Sequence, residues 1–531
     1  MSEAATSVNP GLSQPLLAKR TSPKWMISAL LTTAIVALPV LSVIFLAFFP
    51  EENIWPHLIE TTLPRYLTTT LKLMIGVGAL TLVIGLASAW AVTMCEFPGR
   101  KFFEWAMLLP FAVPAYVIAY VYTSLLDYAG PVQGALRDLF GWSSAADYWF
   151  PEIRSLEGAT LMIGLVLYPY VYLLARAAFL EQSPSLFAVS RSLGHSALST
   201  FFRVVLPIAR PAVAVGLSLV LMETLNDFGT VDFFAVQTLT AGLFDTWMNL
   251  GNLGGAAQIA TTMLIFVVIL VTLERYSRRR QQQFAARDNR EPIQRFTMSF
   301  PRQMICVAVC ALPVLFGFVI PGATLGLYAW EYFGESWNPD FVRNTFNSLF
   351  LSGTAALTTL LIGVTLAYSR RLHNTRKMQV LMRLSSLGYA MPGAVLAVGV
   401  IVPLAGFDNW LDSLMRDVFG ISTGLLLSGS AFALVFAYTV RFLAVSAGSV
   451  ESALQKITPS MDMASRSLGH TPGNTLVRVH LPMLRGTLVT AALVVFVDCM
   501  KELPATLILR PFNFETLATY VYQFASDERL Y

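Results

Sequence analysis

Charged residues are scarce in this sequence of 531 residues, because Asp, Glu, Lys and Arg together make up only 13% of it. A soluble domain carries roughly 25%. Hydrophobic residues reach 55% here, and the mean hydropathy is +0.61. A chain of this composition cannot present a mostly polar surface to water. The composition therefore excludes an ordinary soluble domain and predicts an all-α polytopic membrane protein.

Motifs for catalysis and nucleotide binding are also missing. The sequence contains no G-x-x-x-x-G-K-[ST] phosphate loop and no H-E-x-x-H zinc motif, and its five histidines fall mostly in predicted loops. We therefore predict that the chain is not an enzyme by itself. An intramembrane enzyme or a simple channel are the alternatives from other classes. The net charge of +4 is spread over membrane-flanking segments and predicts no nucleic-acid partner.

Cysteine is rare, with four residues in all, so no disulfide framework is predicted. Cys306 and Cys310 lie four residues apart and would share one face of a helix. A metal-binding pair is conceivable there, but packing of small apolar side chains is the preferred interpretation. Cys95 and Cys499 have no obvious partner in the sequence.

What the sequence does contain is a series of long apolar stretches. A helix needs about 20 apolar residues to cross a bilayer. Eleven stretches meet this length, at residues 25–49, 66–94, 102–126, 157–180, 203–226, 256–274, 303–321, 344–369, 378–405, 424–447 and 477–500.

Basic residues mark one side of this predicted bundle. Lys24, the pair Arg100 and Lys101, the Arg-rich stretch 275–302 and the segment SRRLHNTRK all fall on the same side if the spans alternate. Positive charges near span ends stay in the cytoplasm. We therefore predict that the N-terminus is cytoplasmic.

The sequence also repeats itself. Residues 190–207 (SRSLGHSALSTFFRVVLP) align without a gap to residues 465–482 (SRSLGHTPGNTLVRVHLP), 275 positions later. Upstream, AVPAYVIA matches AMPGAVLA, and Gly85 matches Gly363, both at an offset of 278. The chain is therefore predicted to contain two tandem pseudo-symmetric halves with parallel orientation.

This repeat divides the chain into predicted segments. The second half has only 49 residues after Pro482, so its last span is predicted to be missing, either by truncation or because this half closes differently. The segments are an N-terminal tail and first span (1–64), a first domain (65–274), a basic cytoplasmic linker (275–302), a seventh span with its loop (303–343) and a second domain (344–531).

The repeated block predicts a short helix, a glycine turn, a second short segment and the start of a span. Gly194 and Gly469 can adopt a positive φ in the turn. Pro207 and Pro482 suit the first turn of a helix, where a missing N–H costs little. Each half would therefore display a compact cytoplasmic helix–turn–helix, which a channel does not need but a docking site for a soluble partner does.

At these residues the sequence resembles the permeases of binding-protein-dependent ABC importers. Gly194, Val204, Leu206 and Pro207 fit the glycine, aliphatic and Leu-Pro spacing of that family's "EAA" loop, and the second copy fits it as well. The glutamate expected six residues before the glycine is Ala188 in one copy and Met463 in the other. The residues that the resemblance assigns to ATPase docking are Arg191, Gly194, Leu206, Pro207, Arg466, Gly469, Leu481 and Pro482.

The resemblance further implies the type I importer fold, in which twelve spans are expected against the eleven visible here. It implies a multi-pass protein of the cell inner membrane. Its partners would be the lipid bilayer, a cytoplasmic ABC ATPase dimer and a periplasmic substrate-binding protein. The ATP would be bound by the partner, so the chain itself would carry no cofactor.

Four acidic residues recur near the ends of the fifth spans. Glu223 aligns with Asp498 and Asp227 with Glu502, and each half places its two acids at i and i+4 on one helix face. Ionisable groups inside a membrane are costly and usually face a cavity. We hypothesise that these four line a translocation path, with Lys501 neutralising one of them. The alternative is that they are solvated or paired at the interface, and no metal site is assigned.

The substrate is suggested by resemblance alone. Residues 223–244 and 500–528 look like segments of fused ferric iron importer permeases. Fused thiamine permeases are the alternative, followed by polyamine, sulfate and phosphonate permeases.

Overall fold

The computed structural model describes residues 23–182, 184–279, 295–373 and 375–527, and within them the protein is built of helices. The helices of the first half are α1 (Pro23–Phe48), α2 (Trp55–Glu60), α3 (Leu63–Met94), α4 (Arg100–Ala106), α5 (Ala115–Leu126), α6 (Pro131–Phe140), α7 (Leu156–Leu180), α8 (Pro184–Ser192), α9 (Ala197–Thr200), α10 (Leu206–Asn226), α11 (Gly229–Phe233), α12 (Leu239–Phe244) and α13 (Leu253–Arg279).

The second half follows the same plan. Its helices are α14 (Phe300–Val314), α15 (Ile320–Glu331), α16 (Phe333–Ser336), α17 (Pro339–Leu372), α18 (Arg376–Ser385), α19 (Leu387–Ala390), α20 (Gly393–Phe419), α21 (Ala431–Gln455), α22 (Pro459–Ser467), α23 (Pro472–Thr475), α24 (Leu481–Met500), α25 (Pro504–Leu509) and α26 (Leu517–Ser526).

Ten helices in the described ranges are long and apolar enough to cross a membrane, and a bent pair makes an eleventh. This bears out the predicted all-α polytopic fold, but the third, ninth and tenth predicted spans are wrong in detail. The third, 102–126, is bent by 89° between the segments Arg100–Ala112 and Ala115–Phe140. The ninth, 378–405, is interrupted before Gly393, and the spanning helix of this region is α20.

Proline explains both breaks. Pro114 and Pro392 stand directly before α5 and α20, and the residues preceding them, Val113 and Met391, are extended with ψ of 126° and 132°. A proline disfavours helical backbone in the residue before it. Each half therefore breaks its helix at the same place, 278 residues apart.

Residues 424–430, predicted to begin the tenth span, form a loop instead. The buried carboxylate of Asp408 accepts hydrogen bonds from the backbone N–H groups of Leu427 and Ser428. The carboxylate of Asp412 accepts a hydrogen bond of 2.7 Å from the backbone N–H of Thr423. Two carboxylates on α20 thus satisfy the donors of this apolar loop, and α21 begins only at Ala431.

The two halves repeat a close helix crossing. A side chain at Gly85 on α3 would collide with Val171 on α7, and one at Gly363 on α17 would collide with Ser446 on α21. Both glycines therefore allow two spans to approach at backbone distance. The pairing also fixes the register, because Val171 and Ser446 are equivalent positions 275 residues apart.

The first helix of each half packs against the other half. Helix α1 lies along α17, α18 and α20, with the Pro39 carbonyl against Gly399 and a hydrogen bond of 2.8 Å between Thr33 and Ser385. Helix α14 lies along α3, and the following turn accepts a hydrogen bond from the Tyr122 hydroxyl. This exchange joins the halves into one body.

The end of the predicted linker 275–302 also contacts the first half. The backbone of Phe296 donates to Met94 at 2.8 Å and accepts from Glu96 at 3.1 Å. Arg295 lies 3.8 Å from the Glu96 carboxylate. Residues 280–294 of that prediction lie outside the described ranges.

After α24, residues 501–527 contain two short helices. Helix α26 packs against α17 and α5, and Ser348 of α17 accepts a hydrogen bond from the backbone of Leu517 at 2.6 Å. No helix in this described segment is long enough to cross a membrane.

Candidate functional site

The repeated block forms the same turn in both halves. We call residues 184–207 and 459–482 the repeat loops. Gly194 and Gly469 have φ of +75° and +81°, as predicted, and a side chain added at either would meet no atom within 4 Å. Only the backbone conformation therefore demands glycine at these two positions.

Each repeat loop continues into a span without a break. One turn of π-helix, Phe201–Val205 or Leu476–His480, follows the second short helix, and Pro207 or Pro482 lies in the first turn of the span after it. Each repeat loop and the span that follows it are therefore joined by continuous helical backbone.

A hydrogen bond that the sequence analysis missed closes each loop. The hydroxyls of Ser190 and Thr200 lie 2.7 Å apart, and those of Ser465 and Thr475 lie 2.8 Å apart, all four being buried. The signal was present in the sequence, because both residues of each pair are identical at the 275 offset.

The surface of the repeat loops is apolar at matched positions. Leu193 and Leu468 are 70% and 77% exposed, and Phe202 and Val477 are 63% and 60% exposed. Arg466 is half-buried, whereas the side chain of Arg191 lies outside the described residues. The two repeat loops therefore expose apolar side chains at equivalent positions.

At the opposite ends of α10 and α24, the two halves enclose a cavity of about 140 Å³. Both halves contribute polar side chains to it. These are Tyr116, Tyr170, Glu223, Asn226, Asp227, Tyr389, Arg441, Asp498, Lys501 and Glu502. The structure thus brings together all four carboxylates of the predicted path, together with Lys501.

Three of the four carboxylates have partners within the protein. Asp498 lies 3.3 Å from the ammonium of Lys501, which also lies 4.1 Å from the ring centre of Phe111. Glu502 lies 3.5 Å from Nε of Arg441, and the side chains of both are 6% exposed. The predicted neutralisation by Lys501 therefore has a geometric basis at Asp498.

Asp227 is the third carboxylate with partners, and its hydrogen bonds stabilise the start of α11. Its carboxylate accepts hydrogen bonds from the backbone N–H groups of Thr230 and Val231 at 3.0 and 3.2 Å. It also accepts one from the Thr230 hydroxyl. These bonds satisfy the free donors at the start of α11, so Asp227 both lines the cavity and shapes its wall.

No group of three or more His, Cys, Asp or Glu side chains in the described ranges is arranged to hold a metal ion. Cys95 is buried in an apolar cluster against which Cys306 packs, although the sequence offered no partner for Cys95.

Comparison with known proteins gives the family. The model of the "Binding-protein-dependent transport system inner membrane component" family matches residues 81–283 and again 359–520. These two matches cover more than half of the chain. The chain belongs to this family.

Relatives support a fused two-half permease. The chain is 24% identical to the Fe(3+)-transport system permease protein FbpB 2 of Haemophilus influenzae over 88% of this chain and 86% of the relative. It is 23% identical to the ferric transport system permease protein FbpB of Actinobacillus pleuropneumoniae, over 95% and 74%. The molybdenum transport system permease protein ModB of Escherichia coli matches 39% of this chain at 24% identity.

The family has two consequences for the permease. It is a multi-pass inner membrane protein with two copies of the family unit, as the repeat predicted. It is a transport component and not an enzyme, which confirms that prediction.

The sequence analysis missed one cavity residue with a clear signal. Arg441 is the only charged residue between Ala431 and Gly448 of the permease, in the middle of an apolar span. An isolated charge in a span is costly unless it faces a partner or a cavity, and here it does both.

Proposed function

We propose that this permease is the membrane subunit of an ATP-driven importer for ferric iron. The cation would pass between the two halves through the acidic cavity. The single observation that carries the proposal is the convergence of Glu223, Asp227, Asp498 and Glu502 on one cavity built by both halves. Relatives named as ferric transport permeases support the choice of ion.

Charge favours a cation over the anionic alternatives. The cavity has four carboxylates against the two cations Arg441 and Lys501, so it carries two negative charges in excess when all are ionised. Molybdate and sulfate are anions and would be repelled. Carboxylate oxygens suit hard cations.

The repeat loops are proposed to face the cytoplasm and to dock on an ABC ATPase dimer. Their matched exposed apolar residues support this role. Closure of the ATPase dimer would move the loops and, through the continuous π turns, tilt α10 and α24. The basic flanking segments support a cytoplasmic N-terminus.

The opposite face is proposed to receive a periplasmic substrate-binding protein, as the family description implies. The ATP would be bound by the ATPase partner alone. The permease itself would need no cofactor.

Uptake of radiolabelled ferric iron in cells lacking other ferric importers tests this function. We expect uptake with the wild-type permease, its ATPase and its binding protein. The double variant Glu223→Gln, Asp498→Asn keeps shape and removes charge, and its uptake should fall while it still associates with the ATPase. Asp340→Asn is the matched control, because Asp340 is exposed and pairs with Arg343 on its own helix.

Two outcomes would count against the proposal. Unchanged iron uptake in the double amide variant at equal membrane abundance would show that these carboxylates do not guide the cation. Uptake of labelled thiamine or molybdate, but not iron, by the wild-type system would replace the substrate and leave the importer assignment in place.

A further inference from the structure

Arg441 gives the cavity a positive charge that the equivalent position of the first half lacks. In the register fixed by the equivalent positions Val171 and Ser446, Arg441 on α21 corresponds to Val166 on α7. Both of these residues line the cavity. The pseudo-symmetry of the two halves is broken at this position, because the first half has an apolar side chain where the second half has a guanidinium.

Arg441 is held by groups from both halves. Its Nε lies 3.5 Å from Glu502, and its Nη1 donates to the side-chain oxygen of Asn226 at 3.3 Å. The same Asn226 oxygen accepts a hydrogen bond from the backbone of Gly393 at 2.6 Å. The guanidinium thus bridges Asn226, at the end of α10 in the first half, to Glu502, which follows α24 in the second half.

We propose that Arg441 is a tethered internal cation that occupies the carboxylates of the cavity until a cargo cation displaces it. This inference rests on the proposed function in one respect, that the cargo is a metal cation. An arginine stays protonated in a protein. It therefore places a permanent positive charge beside Glu502 and, as part of the chain, cannot leave the site.

Arg441 and Lys501 already engage Glu502 and Asp498. An entering cation competes with them and gains the carboxylates as they withdraw. Binding is therefore weakened in this state, which suits a path that must release its cargo.

A purely structural salt bridge predicts a different result. If Arg441 only joined the two halves, removing it would lower stability and leave cation affinity unchanged or reduced. The tethered-cation role predicts that removing it raises the affinity, because a positive charge is taken out of the site.

Terbium(III) is a suitable probe, as a hard trivalent cation whose luminescence is excited through nearby tyrosines. Tyr170 and Tyr389 line the cavity. Titration of the detergent-solubilised full chain should give a signal from the cavity that the Glu223→Gln, Asp498→Asn variant lacks. In Arg441→Gln this signal should appear at terbium concentrations lower by at least about tenfold. Arg441→Lys keeps the charge and should restore the weak binding.

A second variant, at the equivalent position of the first half, tests the proposal if Arg441→Gln does not fold. Val166→Lys adds a third cation to the cavity, at the position equivalent to Arg441, and should weaken terbium binding by a similar factor. Cavity affinity equal to wild type in Arg441→Gln, or in Val166→Lys, overturns the tethered cation while iron uptake still supports the proposed function. A terbium signal independent of Glu223 and Asp498 in every variant overturns both.

Discussion

Nη2 of Arg371 donates a hydrogen bond of 2.6 Å to Oδ2 of Asp462, joining the end of α17 to the short helix α22 of the second repeat loop. The same guanidinium donates to the carbonyl of Ile457 at 3.0 Å. Nε2 of the buried His480 lies 3.0 Å from the other oxygen of Asp462. An ionic cluster therefore anchors this loop to the bundle.

The first half anchors its loop differently. The position equivalent to Asp462 is Phe187, which is buried in a cluster of apolar and aromatic side chains that includes Trp90, Phe179 and Phe201. The two loops share their turn and their Ser–Thr hydrogen bond, but one is held by charge and the other by apolar packing.

Asp462→Asn should therefore weaken the second loop alone. It removes the charge from a partly buried pair and leaves the Arg371 guanidinium without its counter-ion, at a cost on the order of 1–3 kcal/mol. We expect a lower unfolding temperature in detergent and weaker association with the ATPase. Arg343→Gln is a matched control, because it breaks an exposed ion pair with Asp340. Equal losses in both variants would contradict the anchor.

The Asp462 carboxylate should support the anchor throughout the neutral range. Partial burial acts to raise the pKa of Asp462, but the contacts with His480 and Arg371 outweigh it and hold the pKa below its ordinary value. A carboxylate of lowered pKa stabilises the fold above its unfolded pKa of about 3.9, and this is lost as pH falls through the folded pKa. The difference in unfolding temperature between wild type and Asp462→Asn should therefore not shrink down to about pH 5. A collapse of this difference between about pH 7 and 5 would contradict the assignment.

The glycine turns of the repeat loops give a further prediction. Gly194→Val and Gly469→Val force a β-branched residue to a positive φ, at about 1–3 kcal/mol each. We expect the double variant to insert in the membrane and to lose ATPase association or coupling. Gly473→Val is the control, because it lies in the same loop with open space and an ordinary φ. Normal substrate-stimulated ATPase activity in the double variant would rule out the docking role.

The two serines of SRSLGH should behave differently. Ser465 is buried against Thr475, whereas Ser467 is exposed and donates to the carbonyl of Ala464 on its own helix. Ser465→Ala should cost about 1 kcal/mol and lower the unfolding temperature, and Ser467→Ala should leave it near wild type. The order of these two midpoints in a thermal melt checks the assignment, and a reversed order would refute it.

Much of this architecture could be predicted from the sequence because it depends on local or repeated signals. Apolar length marks the spans, and the 275 offset marks the halves, the glycine turns and the acids. The positions of Glu223 and Asp498 at one cavity could be anticipated because symmetry relates them.

The rest depends on contacts between distant parts of the chain. The exchange of α1 and α14 between halves leaves no local pattern, since any apolar helix can pack on either half. The breaks at Pro114 and Pro392 were visible as prolines, but apolar length outweighed them in the sequence analysis. The ion pair of Asp462 could not be predicted either, because its partner Arg371 lies 91 residues earlier.

The last prediction concerns Gly393, which stands where the two halves meet at the cavity. A methyl group there would lie 2.3 Å from Oε1 of Glu502 and 2.8 Å from Nη1 of Arg441. Real side-chain carbons do not approach so closely, so the ends of the Glu502 and Arg441 side chains would have to shift. Gly393→Ala should push Glu502 and Arg441 apart and disturb the cavity while leaving the repeat loops intact.

We therefore expect Gly393→Ala to reduce iron uptake severely while ATPase association stays near wild type. Gly406→Ala is the matched control on the same helix, because a methyl group at Gly406 meets no atom within 4 Å. Uptake and ATPase co-purification, measured at equal membrane abundance, separate the two sites. Wild-type uptake in Gly393→Ala would mean that the Glu502–Arg441 contact is not part of the path, because the substitution cannot be accommodated without displacing it.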